Sequence, residues 1–504
     1  MSLRLKVSKV SNESLQNQIF EQVRTMILEE TLKAGEPLPS TRMMSEQLGI
    51  SRNTMTLAYE RLEAEGYVDM RKSVGTFVAL QVPGVATFTP AGEPPNVDDD
   101  GSAPCERIAL RSDELKSQAL VNASLRRLTA DFWPGRPDPN SFPLKMWARL
   151  IANCLRSAGA ALTEYRDPLG VRELRQAIVD HLRPTRGIMV DAEQVIIVGG
   201  SQGGLNLACR LLVTLGSSAF VESPCYQGAA YLFESFGAKL HPVHVDDNGI
   251  DVSKLPATQN AICYVTPSHQ FPLGVTLSLD RRLELLAWAT RTNSYIIEDD
   301  YDSDIRYRGA PIAALKALDR CERVIYVGTF SKSMGAGLRI GYVVMPATLF
   351  DAARHIKTLT NNGQPWLPQA ALADFITNGS YDRHLRRIRH SYQARRETLL
   401  AALQKHFGGS TIVGDNAGMH LVWRMPDQLP PANVVEKIAL KAGVGVYTLN
   451  SGGAVDFGVM RDSDRYLVLG FTAPSEREIS IGISRLAAAL RSGQSAGKAP
   501  RASL

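Results

Sequence analysis

The sequence predicts an α/β protein in two parts, a small winged helix-turn-helix module followed by a larger domain on a mostly parallel sheet. Three observations carry this. Residues 11–80 are dense in amphipathic helical patterning and end in two short strand-like pieces. Residues 81–104, QVPGVATFTPAGEPPNVDDDGSAP, hold five Pro and three Gly but no Lys or Arg. That composition buries too little apolar surface to fold and reads as a solvated linker. From about Asp131 onward, short β-branched runs alternate with longer helical stretches, the pattern of parallel strands covered on both faces. The expected divisions are 11–80 for the module, 81–130 for the linker, 131–493 for the larger domain, and a disordered tail over 494–504.

Composition excludes several classes. At 504 residues and 44 % hydrophobic, the chain can bury two or more cores and is not disordered throughout. No apolar run approaches the ~18 residues of a membrane span. The start MSLRLKVSKVSNES lacks the apolar core of a secretory signal, which makes the cytoplasm the expected address. Six cysteines are scattered without a CxxC pair, against a disulfide framework or a structural zinc site. The net charge of +5 says little about nucleic acid, and residues 1–80 balance ten basic against ten acidic residues. Any DNA contact must follow from where charges sit.

In the module, Leu15, Ile19, Val23, Met26 and Ile27 share one helical face. Pro39 and Ser40 mark the next helix start, with Ser40 as N-cap and Met43, Met44 and Leu48 as its buried side. Gly49 makes a tight turn. Ser51 then caps a helix whose Met55, Ala58, Tyr59 and Leu62 fall at i, i+3, i+4 and i+7, and Gly66 ends it. A helix, a short glycine turn and a second helix is the helix-turn-helix arrangement, in which the second helix points its first residues into the major groove. Those residues are Ser51, Arg52, Asn53 and Thr54, all able to hydrogen-bond phosphates or base edges. Arg71, Lys72, Gly75 and Thr76 lie at the tip of the following hairpin, placed to form a wing on the DNA backbone. The same periodicity also suits a small three-helix bundle with incidental polar ends. The wording LPSTRMMSEQLGISRNTMTLAYERLEAEGYV…GTFV decides between them, because it resembles the winged helix of GntR-type bacterial regulators over roughly 65 residues. That resemblance implies double-stranded operator DNA as a partner, with Ser40 and Arg42 of the LPS-R piece among the contacts.

Four pieces of the larger domain point to one chemistry. IIVGGSQGGLNLA (196–208) is a strand, a Gly/Ser turn and a helix, so Gly200, Ser201 and Gln202 can present N–H groups to a phosphate. YIIEDDYDSD (295–304) places carboxylates at the C-terminal end of a buried strand, where open α/β sheets keep their ligands. A metal is another use for these acids, though no His neighbours them. VIYVGTFSKSMGAGLRIGY (324–342) sets Lys332 in a Ser/Thr-rich turn after a strand, with Thr329 and Ser331 beside it and Arg339 seven residues on. That is a setting for a Schiff base next to a phosphate. Tyr226, in ESPCYQGA, follows another strand end. These parts match pyridoxal 5'-phosphate (PLP), which needs a lysine amine, a carboxylate for the pyridine nitrogen, a phenol or amide for the ring oxygen, a stacking aromatic and phosphate ligands.

The order of glycine turn, Asp and Lys resembles fold-type-I aminotransferases. TPSHQFPLG (266–274), EDDYDSD and GTFSK…LRIGY resemble more closely the MocR/GabR-type regulators, which join a GntR-type winged helix to an aminotransferase-like domain. The resemblance covers about Leu15 to Leu490 apart from the linker. It implies a fold-type-I domain with a mostly parallel large sheet and a smaller C-terminal α+β subdomain. It further implies Lys332 as the Schiff-base lysine, Asp299 as partner of the pyridine nitrogen, Tyr301 at the ring oxygen and Tyr226 stacked on the ring. Ser201, Gln202, Thr329, Ser331 and Arg339 would bind the phosphate. Tyr165, in EYRDPLG, would be lent to the neighbouring subunit of a head-to-tail homodimer. Arg465, in RYLVLGFTAP, would pair with a substrate or effector carboxylate.

One departure stands out. Aminotransferases carry an Asn-Pro-Thr-Gly turn whose amide touches the ring oxygen, and here it reads Phe271-Pro272-Leu273-Gly274, with His269 and Gln270 as possible substitutes. The expected function is a transcription regulator that holds PLP and senses an amine, an amino acid or the vitamer. The alternative is an active aminotransferase carrying a DNA-binding domain.

Overall fold

A computed structural model describes residues 13–307 except 81–127, residues 312–496 except 409–410 and 415–416, and residues 3, 5–8 and 309. The chain divides into two compact units, Met1–Leu110 and Arg111–Leu504. Most of the expected linker (81–127), Cys105 and the tail from 497 lie outside the described residues.

The first unit packs helices α1 (Leu15–Leu28), α2 (Thr41–Leu48) and α3 (Arg52–Ala64) against a sheet of β1 (Pro37–Leu38), β2 (Val68–Arg71) and β3 (Gly75–Val78) in the order β1-β3-β2. Helix α1 buries Ile19, Phe20, Val23 and Ile27, leaving Leu15 and Met26 at the margin. All four expected α3 residues, Met55, Ala58, Tyr59 and Leu62, are sealed from solvent. Helix α2 differs from expectation. Met44 is buried but Met43 is 47 % exposed, because successive residues turn about 100° and Ser45 takes the second inward position. Ser40 and Ser51 cap α2 and α3, accepting the N–H groups of Met43 and Thr54. Gly49, at φ +62°, supplies the left-handed residue between the two helices.

The second unit begins with β4 (Ala130–Asp131), parallel to Val444–Gly445. Ala130 is buried, so the final position of the expected linker belongs to the folded unit. Its main sheet comprises β5 (Val195–Val198), β6 (Ser218–Ser223), β8 (Lys239–Asp246), β9 (Gly249–Ile250), β10 (Ile262–Val265), β11 (Tyr295–Asp300), β12 (Val324–Thr329) and β13 (Gly341–Val344). Between β6 and β8 in the chain, β7 (Cys225–Tyr226) pairs with Ala454–Val455. The strand order is β5-β13-β12-β11-β10-β6-β8-β9. Alternate residues serve opposite faces: Ile196, Val198, Ile297, Ile325 and Val327 pack on one side, Val195, Ile197, Tyr326 and Val344 on the other. Both faces are therefore apolar, which is why these runs read as continuous.

Two features of the sheet were hidden in the sequence. Strand β13 is antiparallel to both neighbours, since only residues 330–340 separate it from β12 and a parallel return needs a longer crossover. Strand β8 carries Lys239, His241, Pro242 and His244 and lies near the sheet edge, so it shows no apolar run. The C-terminal part adds the 28-residue helix Ser380–Phe407 and a four-stranded antiparallel sheet of Thr411–Val413, His420–Arg424, Tyr466–Gly470 and Tyr447–Thr448. Its last helix, Glu476–Ala496, runs past the expected boundary at 493 because its turns continue without Pro.

Candidate functional site

The parallel strands end on one edge of the main sheet, and the expected cofactor residues follow those ends. Asp299, on β11, is buried. Its Oδ2 accepts a hydrogen bond from the Tyr264 hydroxyl of β10 at 2.9 Å. Its Oδ1 is buried without a partner. The neighbouring acids are engaged: Glu298 by the N–H groups of Leu315 and Lys316, Asp300 by Arg186 and Tyr326, Asp302 by His269, and Asp304 by His181 and Tyr381. Burial pushes the Asp299 carboxyl up to about 7, with the Tyr264 hydrogen bond holding it down and Asp300 adding to the rise.

Lys332 stands in the turn Ser331–Gly335 that follows β12. Its Nζ donates to the Gly135 carbonyl at 2.9 Å. A Cβ on Gly135 would lie 2.6 Å from that nitrogen and would push the lysine end aside, and the backbone at φ +72° favours glycine here. Burial lowers the Lys332 pKa, partly offset by the charges of Asp302 and Asp299. Asp300, Tyr301, Asp302, Thr329 and Lys332 line one pocket.

The phosphate candidates form a second group. Gly200, at φ +78°, caps the helix Ser201–Leu212, whose first N–H groups have no partner within the helix. The Arg339 guanidinium donates to the Gly199 carbonyl at 2.6 Å and would meet a Cβ on Gly200 at 3.2 Å. Arg339 itself takes a left-handed conformation, φ +52°. Thr329 Oγ1 accepts the Ser331 N–H at 3.1 Å and donates to its hydroxyl at 3.0 Å. Gln202 donates to the Gly228 carbonyl at 2.9 Å and lies 3.5 Å from the Tyr226 hydroxyl, which brings Tyr226 to this loop.

Two expected residues lie elsewhere. The Arg465 guanidinium donates to the carbonyls of Leu429 and Pro426, where it clamps a loop of the C-terminal part. Tyr165, expected to serve a neighbouring subunit, is 90 % exposed and does not line this chain's own pocket. Tyr264 and Gly135 were missed in the sequence. Tyr264 reads as one more apolar strand residue, and Gly135 lies some 197 positions from the lysine it meets.

Of the two residues before the altered turn, Gln270 points its amide at Glu222, Pro224 and its neighbour Phe271. Burial pushes Glu222 up to about 7. His269 instead meets Tyr301, with Nδ1 3.0 Å from the hydroxyl.

In the first unit, Ser51, Arg52 and Asn53 are exposed at the start of α3, while the Thr54 hydroxyl lies 2.8 Å from Ser51 Oγ within the cap. Ser40 is exposed at the start of α2. Arg42 pairs with Glu46 at 3.2 Å. The β2–β3 turn exposes Lys72 and Gly75, with Thr76 half-buried, and Arg71 lies over the Phe77 ring at 4.8 Å.

The open oxygen of Asp299 fits a protonated ring nitrogen, the Lys332 amine fits an aldehyde, and the Gly200–Arg339 cradle fits a phosphate. Fold and site thus define a winged-helix protein whose second unit is an aminotransferase-like cofactor domain. Residues 15–78 match the bacterial regulatory proteins of the gntR family, and residues 137–453 match aminotransferase class I and II. The chain is 35 % identical to the probable rhizopine catabolism regulatory protein MocR of Rhizobium meliloti, over 96 % of each chain. It is 32 % identical to the HTH-type transcriptional regulator TauR of Rhodobacter capsulatus, over 95 % of this chain and 97 % of that one. Among solved structures, kynurenine aminotransferase of Pyrococcus horikoshii, in complex with PMP, superposes with a TM-score of 0.66 at 27 % identity, covering 78 % of this chain and 96 % of that one. The chain belongs to the MocR-type family of HTH transcriptional regulators, and its cofactor is PLP. Among the described residues no helix is long and apolar enough to cross a membrane.

Proposed function

We propose that this regulator senses a primary amine, an amino acid or the vitamer itself through PLP held at Lys332, and that this state sets its affinity for an operator. One observation carries the reading: a buried carboxylate with an open oxygen, Asp299, lies near a buried amine of lowered pKa, Lys332. Asp299 holds the ring nitrogen's proton at Oδ1, Tyr301 meets the ring oxygen and Tyr226 covers the ring. Gly200, Ser201, Gln202, Thr329, Ser331 and Arg339 hold the phosphate. PLP supplies an aldehyde carbon for which the Lys332 amine and an incoming amine compete. The lowered pKa keeps more of the lysine neutral and so reactive.

On the DNA side, Ser51, Arg52, Asn53 and Thr54 enter the major groove. Ser40, Arg42, Arg71, Lys72, Gly75 and Thr76 contact the backbone. The protein works in the cytoplasm as a head-to-tail homodimer, and the exposure of Tyr165 supports a site completed by the neighbouring subunit. An effector alters DNA binding only as far as it prefers one arrangement of the two units.

A working aminotransferase is the second reading, favoured by the intact set of Lys332, Asp299 and Tyr301. Against it stands the 271–274 turn, which has no amide. The test offers the holo-protein an amino donor and a keto acid while its visible spectrum and duplex-DNA affinity are followed. The sensor reading expects a change complete at one equivalent together with altered DNA affinity. Sustained multiple turnovers with unaltered DNA affinity would establish the enzyme instead.

A further inference from the structure

Just before the altered turn, one side chain meets Tyr301. His269 Nδ1 lies 3.0 Å from the Tyr301 hydroxyl and 2.9 Å from Asp302 Oδ2, and its Nε2 lies 3.2 Å from the Gly414 carbonyl. His269 and Asp302 are both buried. The Gly414 carbonyl can only accept a hydrogen bond, so Nε2 carries hydrogen; a hydrogen on Nδ1 as well, shared between Asp302 Oδ2 and the Tyr301 hydroxyl, makes His269 an imidazolium paired with Asp302. Burial works against this charge, but the charge and hydrogen bond of Asp302 outweigh it and raise the pKa.

His420, whose ring centre is 5.0 Å away, is the opposite case. Its Nε2 donates to the Pro272 carbonyl at 2.9 Å, while Nδ1 is buried without a partner. Burial, then the charge of His269, pushes it down to about 3. One histidine of the pair is charged and the other neutral, the division that places a fixed cation at one spot. The charged and titratable groups facing His269 are Asp302, Tyr301 and Arg306 after β11, and His420 on the C-terminal sheet.

We propose that His269 is a positioning residue for the cofactor, its imidazolium holding the Tyr301 hydroxyl and placing positive charge behind the ring-oxygen contact, where aminotransferases use the amide that this turn lacks. The proposal rests on Tyr301 as the ring-oxygen partner. Gln270, engaged with Glu222 and two carbonyls, is not free for this role.

The visible band of bound PLP is titrated against pH in the full-length holo-protein and in His269→Asn. Loss of a cation near the ring oxygen makes an extra proton easier to keep, so the midpoint should rise by about one pH unit. In a Tyr301→Phe background the same substitution should add a smaller shift, because the hydroxyl contact is already gone and only the nearby charge is lost. A His269 that is merely structural would lower the melting temperature without moving the midpoint, and an unmoved midpoint in a variant that keeps PLP overturns the proposal.

Two further measurements need no PLP. Ring-nitrogen NMR of histidine-labelled wild-type apo-protein should show both His269 nitrogens protonated at pH 7, and a neutral ring overturns the proposal even if the variant fails to fold. His269, Asp302 and His420 also bring three potential ligand atoms within 4.8 Å of one another. Stoichiometric metal in the purified protein that His420→Ala removes would show a metal in place of the proton and overturn it equally. A wild-type protein without any visible band would instead be the failure of the cofactor site at Lys332, and the nitrogen spectra would still test His269.

Discussion

Replacing Asp299 by Asn should separate what the site costs the fold from what it does for the cofactor. In the apo-protein this carboxyl is buried, receives one neutral hydrogen bond and keeps one oxygen unpartnered. Its pKa rises from 3.8 to about 7 on folding. The folded state therefore binds more protons than the unfolded state between those values, and stability falls as pH rises through that window. At about 1.4 kcal/mol per pH unit, this lowers the stability of the apo fold relative to acid pH by roughly 4 kcal/mol above pH 7 and by roughly 2 kcal/mol at pH 5, where the unfolded carboxyl has ionised and the folded one is still protonated. Asn has the same shape without the charge. Asp299→Asn should therefore be the more stable apo-protein, by a margin that grows about 2 kcal/mol from pH 5 to pH 7.5 and then levels off. Urea unfolding followed by tryptophan fluorescence measures this cleanly, since Trp133, Trp147, Trp288, Trp366 and Trp423 all lie in the second unit. Adding PLP should reverse the order, because only the carboxylate pairs with a protonated ring nitrogen. A pH-independent difference between the two apo-proteins would refute the account of Asp299 as an uncompensated buried acid.

Three other substitutions test the remaining assignments. Lys332→Ala should abolish the visible band of bound PLP while duplex-DNA binding stays measurable in a gel-shift assay; an unchanged spectrum would remove Lys332 from the site. Arg52→Ala should weaken DNA binding and, if the contact is to phosphate, reduce the salt-dependence slope by about 1. Undiminished affinity would mean that α3 does not face the duplex. Arg465→Ala should lower the stability of the second unit by about 1–3 kcal/mol, because two loop carbonyls lose their donor. Effector affinity, measured by spectral titration, should stay within about twofold, and a large loss of affinity without a change in melting temperature would restore Arg465 as a ligand.

The fold was legible where a residue's pattern reports both of its neighbours. Val195–Val198 and Val324–Gly328 read as strands because both sheet faces are apolar, whereas β8, interrupted by Lys239, His241, Pro242 and His244, leaves no such trace. Direction is a different matter. The run ending at Met345 signals a strand of either sense, and only the short 330–340 connection makes β13 antiparallel. The same division holds in the site. Lys332, Asp299 and Gly200 could be found because each lies at or within a few residues of the end of an identifiable strand. Tyr264, Gly135 and His420 could not, since each meets the site through a contact spanning 35 or more positions, and nothing local distinguishes them from core or turn residues.

Arg465 shows the limit from the other direction. The resemblance of RYLVLGFTAP to aminotransferases implied a ligand, but a matched position does not fix where a guanidinium points, and loop carbonyls bind it as readily as a substrate carboxylate. The altered turn joins the two cases. Its missing amide was visible in Phe271, yet the side chain that answers the loss, His269, was identified only as one of two candidates. What separates it from Gln270 is the environment each residue faces. Glu222, buried and with no cation beside it among the described residues, draws the amide of Gln270 inward. Asp302 instead turns His269 toward Tyr301. Two acids distant in sequence thus decide which of two adjacent residues serves the cofactor.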